Sequence, residues 1–261
     1  MSLFVHQMNT ETTSNDAVVL LHGLFGQSSN LSRLAKQLSA QHRVLLVDLP
    51  GHGDSAAAPF HDLSTMAESV ANGVFDAMRE QGIERVSLFG HSLGGKVAMQ
   101  IADRYPDMVT RLIVADIAPV AYAPSHLRII DGLLKVSHSQ VDSRRQADEV
   151  LQEFVDALGV RQFLLKNLAK QETGEWGWKF DVARLAQYYD ELINAPQLSG
   201  VFSGDALFLK AERSDYITED HRRTIDSFYP HAQYVTIFDA GHWLHAEQPD
   251  AVFEAVQCVL K

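Results

Sequence analysis

The sequence predicts a doubly wound α/β fold: a mostly parallel central sheet with helices on both faces and an inserted helical cap. Three observations carry that prediction. Short apolar runs at residues 17–21, 44–48, 86–89 and 112–116 alternate with helical patterns near 30–38, 63–80 and 93–104, and strand–helix–strand alternation builds parallel sheets. The runs are apolar throughout rather than at every second residue, as strands covered on both faces require. Two further runs, at 206–210 and 234–238, each followed by a helical pattern, resume the alternation near the C terminus.

Between the two halves lies a segment, residues 122–199, with no convincing strand. Helical stretches at 125–135, 146–158, 161–168 and 182–192 fill it. The second carries Val150, Leu151, Phe154, Val155 and Leu158, an i, i+3, i+4 pattern that makes one apolar face. A segment of this length inside one α/β domain is read as an inserted cap. The core domain is then residues 1–121 and 200–261, and the cap 122–199.

The 261 residues are 46% hydrophobic and 21% charged, enough to bury a large core. No apolar run approaches the ~18 residues that would cross a bilayer. Acidic residues outnumber basic ones, 33 to 22, for a net charge of −11 without any block of like charges. That balance excludes the basic footprint of a nucleic-acid binder and argues against anionic membranes. Cys258 is the only cysteine, which excludes an internal disulfide and a cysteine-based zinc site. The start, Met1 to His6, lacks a basic segment followed by an apolar one. A cytoplasmic protein, monomeric or homodimeric, is therefore expected.

The decisive segment runs from Val86 to Gly95, VSLFGHSLGG, in which an apolar strand ends in G-x-S-x-G and a helix begins. A serine on such a strand-to-helix turn is held in a strained backbone with its oxygen exposed. Gly90 and Gly94 are needed because a Cβ there would meet neighbouring backbone. The new helix points its N–H groups at the same spot, where they favour a developing oxyanion. Ser92 is thus the candidate nucleophile, and a hydroxyl needs a base to act at neutral pH.

His242 is the candidate base among 12 histidines. It follows the last strand in Phe238-Asp239-Ala240-Gly241-His242, where small residues let the loop bend over the serine. His245 is its rival, while His91, His22 and His52 read as turn or supporting residues. The turn His22-Gly23-Leu24-Phe25-Gly26 after the first strand offers a second oxyanion donor. The backbone N–H groups of Leu24 and Leu93 would form the hole together.

With Asp48-Leu49-Pro50-Gly51-His52-Gly53-Asp54-Ser55, these segments resemble the α/β-hydrolase superfamily over the whole chain. Four stretches resemble, more narrowly, the small bacterial esterases of the YbfF type: HGLFG at 22–26, DIAPV at 116–120, QFLLK at 162–166 and GHWLHAE at 241–247. The resemblance implies an α/β-hydrolase fold with a helical cap and a serine carboxylic-ester hydrolase. Its substrates would be small or short-acyl esters, with acyl-CoA thioesters as a further class, and it would need no cofactor or metal. The same fold also hosts lyases and C–C bond hydrolases of small carboxylate metabolites, which stay as the alternative. Arg128, Arg144 and Arg161 in the cap would have to face the pocket for that.

The acid of the triad stays open between two aspartates. Most relatives of the fold carry it after the seventh strand, where this chain reads Glu212-Arg213-Ser214-Asp215. Ser214 takes the usual acid position, with Asp215 one residue beyond. The narrower esterase group places the acid after the sixth strand, which maps onto Asp116. Asp116 ends the strand expected beside the nucleophile strand, so its carboxylate could reach the far nitrogen of His242. Asp239 reads as a loop residue.

Other constellations have simpler readings. Asp48 with His52, and Asp54 with His61, suit a turn held by side-chain hydrogen bonds better than an acid–base pair or a metal site. No phosphate-cradling or dinucleotide glycine motif follows the first strand. Trp176, Trp178, Tyr188 and Tyr189 either pack the cap or line an acyl pocket.

Overall fold

The computed structural model describes residues 3–8 and 15–261. Met1 and Ser2, part of the stretch read above for a leader, lie outside the described residues. The central sheet has seven strands: β1 (Val5–Met8), β2 (Asp16–Leu21), β3 (Arg43–Val47), β4 (Arg85–His91), β5 (Val109–Ala115), and, after the insertion, β8 (Asp205–Ala211) and β9 (Ala232–Ile237). Their spatial order is β1-β3-β2-β4-β5-β8-β9. All neighbours run parallel except β1, which pairs antiparallel with β3 in the register Val5↔Val47. β1 is too short and too half-exposed to show as an apolar run, so the alternation in the sequence misses it.

The unbroken apolar runs have a direct cause. In β2, Ala17, Val19 and Leu21 point into one core, while Val18 and Leu20 point into the other. Helices α2 (Leu63–Gln81) and α3 (Leu93–Arg104) pack together over the first face; α1 (Ser32–Leu38) and α11 (Pro249–Leu260) cover the second. Most side chains of the central strands are thus taken out of water, the exceptions being polar residues near the strand starts such as Arg85 and Arg111, at about 25 cal/mol per Å² of apolar surface. Helix α2 starts where Asp62 accepts the N–H of Thr65 and stops at Gly82, whose φ of 64° is open to glycine at little cost. α9 (Glu219–Phe228) and the short α10 (Leu244–Glu247) complete the C-terminal half. Among the described residues, no helix is long and apolar enough to cross a membrane.

Between β5 and β8 the chain forms α4 (Leu127–His138), α5 (Arg144–Leu151), α6 (Leu158–Leu165), α7 (Val182–Gln187) and α8 (Tyr189–Ile193). Three expectations are corrected here. The segment holds strands after all: β6 (Leu168–Lys170) pairs antiparallel with β7 (Trp176–Trp178). Three-residue strands are too short for their alternation to register, and Gly174, at φ 88°, supplies the turn. The helix expected over 146–158 stops at Leu151, where the chain tightens: the N–H groups of Glu153 and Phe154 donate to the carbonyls of Val150 and Leu151, three residues back. The buried Arg161 folds back on the turn that follows. Its Nη1 donates to the carbonyls of Val155 and Asp156, and its Nε to Asp148 at 2.7 Å. That turn is thereby tied down, and Leu158 begins α6 instead of closing α5. The stretch 182–192 likewise divides at Tyr188 into α7 and α8.

Candidate active site

Ser92 ends β4 and opens α3 at φ 52°, ψ −117°, a conformation that costs a non-glycine residue of order 1–3 kcal/mol. Its neighbours show why glycines flank it. A Cβ on Gly90 would lie 2.2 Å from the carbonyl oxygen of Gly94, and one on Gly94 would lie 2.4 Å from that of Leu21. Larger residues would push the serine off the turn. Among the described residues, the three other non-glycine residues with positive φ, Phe25, Asp116 and Asp239, follow β2, β5 and β9, in the loops that converge on the same edge.

His242 lies in the loop between β9 and α10. Its Nδ1 donates to Asp116 Oδ2 at 2.8 Å. Asp116 is fully buried, and its other oxygen accepts the N–H of Ala211 at 3.0 Å. Ser214 Oγ donates a short hydrogen bond to the same Oδ2 that His242 uses. The serine at the position where relatives carry the acid therefore points its hydroxyl at the carboxylate supplied by the neighbouring strand. Asp215 is exposed and faces an outer groove with Arg213. Asp239 is exposed, and its backbone carbonyl accepts Arg213.

The rest of the histidine cluster holds loops in place. His91 Nε2 donates to the carbonyl of His242 at 2.7 Å, and the ring of His245 packs edge-on against His91 at 4.5 Å. Tyr216 stacks on His242 with ring centroids 4.1 Å apart. His22 Nδ1 donates to Gly23, while its Nε2 accepts the N–H of Leu49. His52 Nδ1 donates to Pro50, and its Nε2 accepts the N–H of Phe25. Both rings are neutral in these roles, since each spends one nitrogen as an acceptor. They shape the turn that carries Leu24. Among the described residues, the N–H groups of Leu24 and Leu93 have no internal acceptor, so both are available to an oxyanion. Asp48 does not engage His52; it accepts the backbone N–H groups of Ser28 and Asp54. Among the described residues, no three His, Cys, Asp or Glu side chains gather as a metal cage.

Burial drives the titration of these rings. It holds His22 and His91 below the ordinary imidazole value, pushes His52 down to about 3, and lowers His126 and His245 to about 4. In the unfolded chain the same rings titrate near 6.5. Between those values the unfolded state binds protons that the folded state refuses, so stability is complete above pH 6.5 and falls as the pH drops. We expect a level melting temperature from about pH 8 down to 6.5 and a steady decline below it. His52 alone contributes up to about 1.4 kcal/mol per pH unit across that window. Differential scanning fluorimetry reads this; a melting temperature level down to about pH 5 would show that the rings accept protons in place.

A cavity of about 250 Å³ opens over Ser92 and His242, walled by Leu24, His126, Phe163 and Trp243. Phe163 stacks on Trp243 at 5.3 Å, bringing α6 of the inserted segment against the His242 loop. The aromatic residues singled out in the sequence serve packing instead. Trp178 stacks on Phe180 and donates to Leu133, Tyr189 is buried with its hydroxyl on His126, Tyr188 meets Phe60, and Trp176 lies under Arg144. None of Arg128, Arg144 and Arg161, all within residues 122–199, lines the cavity. Arg128 bonds the carbonyl of Glu153, Arg144 that of Leu168, and Arg161 is spent on Asp148. The sequence reading did not single out His126, Tyr216 or Lys96; only the hydroxyl of Ser214, where a carboxylate is usual, was a signal in the sequence.

The chain matches the alpha/beta hydrolase family over residues 18–255. It is 37% identical to the mouse sn-1-specific diacylglycerol lipase ABHD11, covering 94% of this chain and 80% of that protein. It is 34% identical to the esterase YbfF of Escherichia coli, covering 94% of this chain and 92% of that one. Among solved structures, a marine microorganism esterase superposes with a TM-score of 0.90 at 34% identity, covering 98% of each chain.

Proposed function

The chain belongs to the alpha/beta hydrolase family and is an ester-hydrolysing enzyme; from that premise we propose that it cleaves small carboxylic esters through an acyl-serine on Ser92. The observation that carries the reading is the buried Asp116–His242 hydrogen bond, in the loops that converge on a serine held at the start of α3. With Nδ1–H pinned by Asp116, the other nitrogen of His242 is left to take a proton.

In the proposed reaction Ser92 Oγ attacks the ester carbonyl while His242 Nε2 removes its proton. The carbonyl electron pair moves onto oxygen, where the N–H groups of Leu24 and Leu93 receive it. Collapse breaks the bond to the alcohol oxygen, which leaves with the proton from His242. Water, deprotonated by the same histidine, then releases the acid. Every step uses groups of this chain. Ile129, Val160 and Phe163 of the inserted segment wall the cavity, which supports a lid role for residues 122–199. The arginine placements above give the lyase or C–C hydrolase alternative no cation to hold a carboxylate in the cavity.

The test is steady-state hydrolysis of p-nitrophenyl esters from acetyl to dodecanoyl, with acetyl-CoA as the thioester probe and fluorophosphonate labelling read by peptide mass. We expect labelling at Ser92 and turnover that peaks among the short acyl chains. No labelling, and no turnover at any length, would remove the acyl-serine.

A further inference from the structure

Ser92 stands at the junction of two cavities of unequal size. The larger, about 250 Å³, contains both Ser92 and His242. The smaller, about 40 Å³, contains Ser92 but not His242; it is closed by Leu93, Ile117, Leu192, Ile193 and Lys96. Leu24 and Tyr216 border both. We propose that the two cavities divide an ester between them: the small one takes the acyl group and limits it to two or three carbons, and the large one takes the alcohol. The substrate class is then an acetate-like ester of a bulky, apolar alcohol. The proposal deepens the acyl-serine reading and rests on it.

The argument is stereochemical. When the tetrahedral intermediate collapses, the carbon–oxygen bond to the alcohol breaks and its electron pair stays on the alcohol oxygen, which takes the proton from His242. That oxygen must therefore lie within hydrogen-bond reach of His242 while its carbon is bonded to Ser92 Oγ. Of the two cavities at Ser92, the larger holds both residues, so the alcohol chain runs there. The outer groove past Tyr216 touches His242 but not Ser92. The acyl chain leaves the carbonyl carbon on the other side, into the chamber behind Leu93.

Size and charge then set the class. A single water occupies roughly 10–15 Å³ by a comparable measure, so the small chamber admits only a few heavy atoms. A longer acyl chain would have to displace Leu192 and Ile193, where α8 meets the core. Lys96 anchors that contact. Its ammonium donates to the carbonyls of Ile193 and Asn194 at 2.6 and 2.7 Å and lies 4.9 Å from the ring of Tyr122. Two of its three N–H groups are thus held by carbonyls at the end of α8, which fixes the lysine at the chamber wall. The large cavity is walled by Ile129, Val160, Phe163 and Trp243, which suit a hydrocarbon alcohol.

Hexyl acetate and ethyl hexanoate test this directly, because they share one formula and differ only in where the carbonyl sits. We expect kcat/KM for hexyl acetate to exceed that for ethyl hexanoate by at least about tenfold, as a chamber that rejects several methylenes demands. Ile193→Ala, which widens the small chamber while keeping the carbonyl that holds Lys96, should narrow the ratio by raising ethyl hexanoate. Equal rates or a reversed preference in the wild-type enzyme overturn the division. Turnover of p-nitrophenyl acetate without turnover of hexyl acetate also overturns it and leaves the acyl-serine standing. Silence toward all three esters takes down the acyl-serine reading itself.

Discussion

Ser92→Ala is expected to lower kcat toward p-nitrophenyl acetate by about six orders of magnitude, the scale of loss when a serine nucleophile is removed. Ser92 sits at φ 52°, and alanine bears the same Cβ, so it is expected to carry the same backbone strain and the fold should keep its melting temperature. What remains would come from binding and from the N–H groups of Leu24 and Leu93, which the substitution leaves in place. Kinetics should be paired with a thermal melt. A variant that folds and keeps more than about a thousandth of the rate places the nucleophile elsewhere.

The second large effect separates the two aspartates. Asp116→Asn is expected to cost about four orders of magnitude in kcat, and Asp215→Asn less than about tenfold. Asp116 accepts three hydrogen bonds, from His242 Nδ1, Ala211 N and Ser214 Oγ. An asparagine there must turn an NH₂ toward one of these donors. If it faces His242, the imidazole is driven into the tautomer that cannot take the proton of Ser92; if it faces Ala211, a buried backbone donor loses its partner at a cost of about 1–3 kcal/mol. Asp215, exposed on the outer groove, has no bond to lose at His242. The opposite pattern, a large loss only in Asp215→Asn, would hand the role to Asp215.

Much of the architecture was legible because its causes are local. Strands of the parallel sheet declare themselves as continuous apolar runs, since both faces are buried. The turn at Ser92 declares itself through Gly90 and Gly94, since the nearest atoms to a Cβ at either position are backbone. Where the cause is distant, the reading failed. The turn between α5 and α6 is held by Arg161, which folds back onto Asp148, Val155 and Asp156. The β6–β7 hairpin is too short for periodicity to reveal. The packing roles of Trp178 and Tyr189 depend on Leu133 and His126, partners that no spacing rule connects to them.

Asp116 and His242 are 126 residues apart. The pairing of β5 with β8, Ala115 opposite Leu209, carries Asp116 to the N–H of Ala211 and the hydroxyl of Ser214. Chain order and side-chain chemistry were therefore enough to name the fold class, the serine at the elbow and the histidine after the last strand, because each follows from short-range sterics and burial. The carboxylate that meets the histidine follows from strand register, and the size of the smaller chamber beside Ser92 from how α8 seats on Lys96. Those are sums of long-range contacts, and they exist only once the chain has closed on itself.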